Sequence, residues 1–147
     1  MLDIENLTVN YGDKTVLENF SLSIKENEII AIVGQSGSGK TTALRAILGM
    51  LSAGGEVSNG KITFEDKDLL NMSGKQWQSI RGKEISMIFQ DTGCMLNPIR
   101  TIGSQFVEYI MAHSNMSKCN ARDLSIKMLK KQICKMHQVF LNVIHFN

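Results

Sequence analysis

At 147 residues the chain is long enough for one domain with a true hydrophobic core and short for two. A formal charge of +2 is too small to argue for nucleic acid or an anionic membrane surface as a partner, and the apolar content is ordinary for a globular protein. Three cysteines (Cys94, Cys119 and Cys134), with no C-x-x-C pair, read as reduced thiols of a cytosolic protein rather than as a disulfide frame or a zinc site.

The start, Met1-Leu2-Asp3-Ile4-Glu5, is acidic and lacks the basic-then-apolar build of a signal peptide. No apolar run approaches the length of a membrane span, so any membrane contact is expected through another subunit. Leu2 to Val9 has strand composition, and its apolar positions change phase between Ile4 and Leu7, which predicts a bulge or bend there. Tyr11-Gly12-Asp13-Lys14 is a turn signal. Val16 to Ile24 resumes as a strand in which Phe20, Leu22 and Ile24 alternate with Ser21 and Ser23, one half-buried face of an antiparallel sheet. Lys25-Glu26-Asn27 turns the chain into Glu28 to Val33, a β-branched apolar run that reads as a buried parallel strand.

Gly34-Gln35-Ser36-Gly37-Ser38-Gly39-Lys40-Thr41 follows at once, and fits G-x-x-x-x-G-K-[ST]. At average residue frequencies a chain of this length shows that pattern by chance about once in a few hundred sequences. From Thr42 to Leu51, Ala43, Leu44, Ile47, Leu48 and Leu51 have helical spacing, and strand, glycine-rich loop, helix is the arrangement the motif requires. The chemistry follows from the residue types. Glycines let the backbone curl so that successive N–H groups point inward, and the helix N-terminus adds partial positive charge. Lys40 is expected against the β- and γ-phosphates as a point charge, with the Thr41 hydroxyl a ligand of Mg²⁺. The bland alternative, a flexible Gly/Ser turn and a solvated lysine, does not account for the flanking strand and helix patterns.

Beyond the helix, Ser52 to Gly60 is expected to be a surface connection, and Lys61 to Glu65 alternates again with Ile62 and Phe64 on one face. Ser73 to Arg81 reads as a short polar helix in which Trp77 anchors packing. Ile85 to Phe89 reads as a second core strand ending at Gln90-Asp91, and Asn97-Pro98 lies in a loop. Thr101 to Met111 carries one apolar helical stripe (Ile102, Phe106, Val107, Ile110, Met111), and Ala121 to Lys131 is a weaker helix. The nine methionines are scattered, as core filling would have them. His113, His137 and His145 have no partnering pattern and read as surface or packing residues.

With these pieces in place the sequence resembles the ATP-binding subunit of an ABC transporter over about residues 1–131. Tyr11 stands where that family places an aromatic that stacks on adenine, and Gln90, after Met87-Ile88-Phe89, matches the Q-loop glutamine. Gln90-Asp91, then Leu96-Asn97-Pro98 and Thr101-Ile102-Gly103, resembles the oligopeptide, dipeptide and nickel uptake branch, which favours Gln-Asp-Pro-x-x-Ser-Leu-Asn-Pro; here Thr92 replaces the proline and Met95 the serine. The resemblance implies an α/β P-loop NTPase fold: a small antiparallel β-subdomain, an incomplete RecA-like core and the start of the helical subdomain. It implies ATP and Mg²⁺ as cofactors, with Tyr11, Gly34, Gln35, Ser36, Gly37, Ser38, Gly39, Lys40, Thr41 and Thr42 around the nucleotide. Thr41 and the Gln90 amide oxygen would then reach the metal. Asp91 could pass for a Walker B aspartate, but Gln90 before it and Leu-Asn-Pro after it favour a Q-loop neighbour. Transmembrane permease subunits and a second ABC ATPase are the implied partners, nucleic acid is not, and the implied place is the cytoplasmic face of the membrane.

The family also uses a Leu-Ser-Gly-Gly signature, a Walker B strand with a catalytic glutamate, a D-loop and a switch histidine, and none occurs in these residues. Without the signature the γ-phosphate lacks its second clamp, and without the glutamate no base polarises the attacking water. Residues 132–147 do not resemble the family. Back-translated with AT-rich codons and shifted by two bases, Val139 to Asn147 can read Phe-Phe-Lys-Cys-Tyr-Pro-Phe-Gln, close to the sequence that often precedes the signature, so a base slip near Lys131 is expected. Three activities follow as alternatives: a peptide- or nickel-import motor, a Mg-ATP-binding module without turnover, or an inert remnant.

Overall fold

The computed structural model describes residues 1–90 and 95–131, which form two compact units meeting in sequence at Arg81/Gly82. Asp91, Thr92, Cys94, Cys134, His137, His145 and the expected tail 132–147 lie outside the described residues.

The first unit is built on a four-stranded antiparallel sheet of order β2-β1-β3-β4: β1 (Leu2–Tyr11), β2 (Lys14–Ile24), β3 (Gly55–Phe64) and β4 (Lys67–Asp68). β1 pairs on both edges, with Ile4 opposite Leu22 on one side and Ile62 on the other. Ile4, Leu7, Val9, Leu17 and Ile62 are buried, whereas Ser21 and Ser23 are exposed, as the alternation predicts. The expected irregularity lies between Ile4 and Leu7, where Asn6 takes φ 48° and the register shifts. Its counterpart in β3 is Gly60, at φ 105°. A Cβ there would lie 2.6 Å from the Leu7 Cα and 2.7 Å from the Asn6 carbonyl oxygen, so only glycine fits opposite the bulge.

One expectation about this sheet is corrected. Residues 52–60 are not wholly a surface connection, since β3 begins at Gly55 and pairs Gly55 with Tyr11 and Val57 with Val9. A cross-strand partner overrides the low β-propensity of Gly, Ser and Asn. The turn Glu65-Asp66, with φ 46° and 64°, then reverses the chain into β4 as a primed hairpin requires.

Helix α1 (Lys40–Ile47) follows the glycine-rich loop and buries Ala43, Ala46 and Ile47, with Leu48 at its C-cap also buried and Leu44 exposed. A 3₁₀ turn (Leu69–Asn71) is capped by the Asp68 carboxylate, which accepts from the Leu70 N–H at 3.0 Å. Helix α2 (Gly74–Ile80) opens with a capping box between Ser73 and Gln76 and buries Trp77 and Ile80.

The segment 28–33 differs from its expected role. It forms no strand, and Ile29 and Val33 are 99% and 88% exposed. The same is found in the second unit for 85–89, where Ile88 is 91% exposed. Both have strand composition, but apart from a single bridge at Ile85 neither is paired in a ladder among the described residues, and strand geometry is completed only by a neighbour's N–H and C=O groups.

The second unit carries helix α3 (Ile102–His113) packed on helix α4 (Lys118–Lys131). Thr101 caps α3, and Ile102 and Ile110 of the expected stripe are buried while Met111 is exposed. α4 buries Ala121, Ser125 and Leu129, and the Ser125 hydroxyl is satisfied by donating to the Ala121 carbonyl at 2.8 Å. Asn97-Pro98 is a loop, as read, but an ordered one. The Asn97 side chain accepts from the Ile99 N–H (3.0 Å), and the Gln105 amide bonds the Asn97 N–H (2.8 Å) and the carbonyls of Asn97 and Arg100. Gln105 was not singled out in the sequence; its spacing from Asn97 carries no recognisable signal.

Candidate functional site

The phosphate-loop residues form an open turn on the surface of the first unit. Gly34 to Ser38 are exposed, Gly39 is buried, Lys40 is half-buried, Thr41 is exposed and Thr42 is half-buried. Gly37 and Gly39 take φ of 82° and 86°, in the left-handed region. The Ser38 N–H donates to the Gln35 carbonyl at 3.2 Å, closing the turn, and a Cβ at Gly34 would lie 2.8 Å from the Ser38 hydroxyl. Gly39 is also the N-cap of α1. No side chain accepts from the first turn, and no acidic residue lies in it. The positive end of the helix therefore has no anionic group of its own.

Lys40 is folded back over the loop. Its ammonium donates to the carbonyls of Gly34 (2.8 Å) and Gln35 (2.5 Å) and to the Ser38 hydroxyl (3.2 Å). None of these partners carries a formal charge, so the cation is held at the loop without being neutralised. The residues fit a polyphosphate: a glycine-permitted turn, an uncapped helix N-terminus and a fixed, unpaired ammonium converge on one place.

Tyr11 ends β1 and belongs to the same unit. Its ring lies against the Gly55 backbone, where a Cβ would stand 2.7 Å from the ring's Cε1 and Cζ. Gln90 is exposed and belongs to the second unit. Among the described residues no cluster of three His, Cys, Asp or Glu side chains is placed to hold a metal ion. A groove of about 750 Å³ in the second unit is lined by Arg100 and Thr101 ahead of α3 and by α3 and α4 residues including Val107, Met111 and Arg122.

Comparison with known proteins gives this arrangement its context. The ABC transporter family profile matches residues 17–140. The chain is a member of the ABC transporter family. Among its curated relatives, the dipeptide transport ATP-binding protein DppD of Lactococcus lactis subsp. cremoris is 35% identical over 136 residues, covering 89% of this chain and 39% of the relative. The oligopeptide transport ATP-binding protein OppD of Escherichia coli is 38% identical over 133 residues, covering 88% of this chain and 39% of the relative. The chain thus spans about two fifths of the length of these relatives.

Solved ABC cassettes share the fold. The dimeric structure of a bacterial ABC transporter cassette superimposes with a TM-score of 0.76 at 25% identity, over 97% of this chain and 60% of the cassette. A post-hydrolysis state of the same cassette, bound to ADP and Pi, gives 0.75 at 22% identity, over 100% of this chain and 63% of the cassette. The antiparallel sheet with its following helices is the N-terminal part of an ABC ATP-binding domain. No helix among the described residues is long and apolar enough to cross a membrane.

Proposed function

We propose that this chain captures Mg-ATP through Gly34, Gln35, Ser36, Gly37, Ser38, Gly39, Lys40, Thr41 and Thr42, as the ATP-binding part of a peptide-import ABC transporter. The observation that carries the reading is the Lys40 ammonium, held over a turn whose helix N-terminus has no side-chain acceptor. A triphosphate offers oxygens that replace the Gly34 and Gln35 carbonyls as its partners and adds the charge they lack. Magnesium would be held by the Thr41 hydroxyl and phosphate oxygens, with the Gln90 amide oxygen a further ligand; a hydroxyl, an amide and waters suit that ion. Magnesium would neutralise the phosphates and fix their orientation. Tyr11, half-buried at the end of β1, supplies a platform for the adenine worth about 1 kcal/mol.

Calorimetry on the full chain with Mg-ATP tests this. Binding is expected, and Lys40→Ala should weaken ATP far more than AMP, because the ammonium meets only the outer phosphates. Equal loss for the two nucleotides contradicts the placement, and no binding by folded wild type ends the reading.

Import is the wider proposal. That the relatives are dipeptide and oligopeptide transport proteins supports peptides over nickel as cargo; permease subunits and a second ATPase are the proposed partners, at the inner face of the membrane. Steady phosphate release that Lys40→Ala abolishes supports a motor, and stoichiometric binding without release supports a binding module. Residues 1–131 are proposed as the family portion and 132–147 as a segment of other origin. Sequencing the locus for a downstream Leu-Ser-Gly-Gly frame checks that division.

A further inference from the structure

Helix α1 is eight residues long, about 12 Å, so whatever holds its C-terminal end also sets the tilt of the amides at its N-terminal end. The segment leading into it, 25–39, forms no strand that could hold it instead. Its buried face (Ala43, Ala46, Ile47 and Leu48) packs on the core, the Arg45 guanidinium donates to the Ser52 hydroxyl at 2.6 Å, and further ties lie at its two ends. At the N-terminal end Gly39 lies against β2. A Cβ there would stand 2.9 Å from the Val16 carbonyl oxygen and 3.2 Å from the Leu17 Cδ1.

The C-terminal end is closed by paired backbone bonds. The Gly49 N–H donates to the Ala46 carbonyl (3.0 Å) and the Met50 N–H to the Arg45 carbonyl (2.8 Å), with Gly49 at φ 59°. Two carbonyls beyond these are taken by one side chain: the Arg81 Nε donates to Leu48 at 2.8 Å and its Nη2 to Gly49 at 2.9 Å. The guanidinium is 4.2 Å from the centroid of the Trp77 ring. The indole in turn closes on the helix end, since a Cβ at Gly49 would lie 2.7 Å from its Cζ2. Burial lowers the Arg81 pKa from its ordinary value, yet a guanidinium so basic stays charged. A cation at this end also complements the helix dipole.

We propose that Arg81 is a positioning residue for phosphate capture. By pinning the Leu48 and Gly49 carbonyls against Trp77 it holds α1 at the tilt that aims the first-turn amides and Lys40 at the nucleotide's phosphates. This rests on the phosphate-loop reading above. Arg81 touches no ligand and acts through the length of the helix. Its planar fork serves two acceptors at once, which a lysine ammonium on a flexible stem does not reproduce.

The test uses the full chain and two probes, Mg-ATP and inorganic tripolyphosphate, the second of which has no adenine to stack. Arg81→Ala and Arg81→Lys are expected to weaken both probes in parallel, by about tenfold. Ethylguanidinium at low millimolar concentration should restore Arg81→Ala and leave Lys40→Ala unrestored. Arg81→Lys carries the comparison if the alanine variant does not fold. Wild-type affinity in either folded variant overturns the proposal, as does a loss matching only the unfolded fraction measured by circular dichroism, or a loss in Arg81→Ala that ethylguanidinium does not reverse. If wild type binds neither probe, the phosphate-loop reading has failed and the positioning role fails with it. If wild type binds and Lys40→Ala does not, the loop reading stands whatever Arg81 does.

Discussion

Two kinds of β-prone segment sit side by side in this chain. β1 and β3 contain residues that disfavour strands, with Asn6 at positive φ in one and Gly55, Asn59 and Gly60 in the other, yet they form a long paired ladder. Residues 28–33, Glu-Ile-Ile-Ala-Ile-Val, have far better strand composition and form none. The difference is partnership. β1 has a neighbour on each edge, whereas 28–33 has none among the described residues, and an extended backbone without a neighbour leaves its hydrogen-bonding groups to water. Composition states what a segment would do in a sheet; only the remaining chain states whether a sheet is there.

The sharpest way to break the comparison is to empty the paired region. Leu7 is fully buried in β1, so Leu7→Ala should cost about 2–5 kcal/mol of unfolding free energy, read by urea titration. Gly60→Ala should come next, at about 1–3 kcal/mol, because the new Cβ meets the Leu7 backbone and the residue is held at positive φ. Ser73→Ala removes the α2 capping box and should cost about 1 kcal/mol. At the far end of the scale, Ile29→Ser should change stability by less than about 0.5 kcal/mol, since the side chain is already in water. The same substitution should reduce binding of an apolar dye and self-association at high concentration. A cost comparable to Leu7→Ala would mean that 28–33 is covered in solution and that the contrast drawn above is wrong.

Much of the local structure was legible because it rests on local rules. The Ile4/Leu7 phase change marks a bulge that appears as an asparagine at φ 48°, and the short polar helix expected over Ser73 to Arg81 is α2. The sequence marks Trp77 as a packing residue, which it is, but hides its second task. That Arg81 lies over its ring and caps a helix 32 residues earlier in the chain leaves no pattern in the sequence. Gln105, bound to Asn97 across 8 residues, was hidden in the same way.

The glycine-rich loop was legible for a different reason. Glycines at positions needing left-handed backbone, then lysine and threonine opening a helix, are dictated by the shape of a phosphate group and not by what the rest of the chain does. The sequence by itself therefore determined the place of the loop, the family and the existence of the main helices and of β1 and β2. Tertiary structure alone decided that Lys40 rests on the Gly34 and Gln35 carbonyls, that α1 is tied at both ends, and that residues 28–33 and 86–89 form no strand among the described residues. Those outcomes depend on contacts between residues far apart in the chain, whose cost in loop closure and desolvation is settled only when every element has found its neighbours.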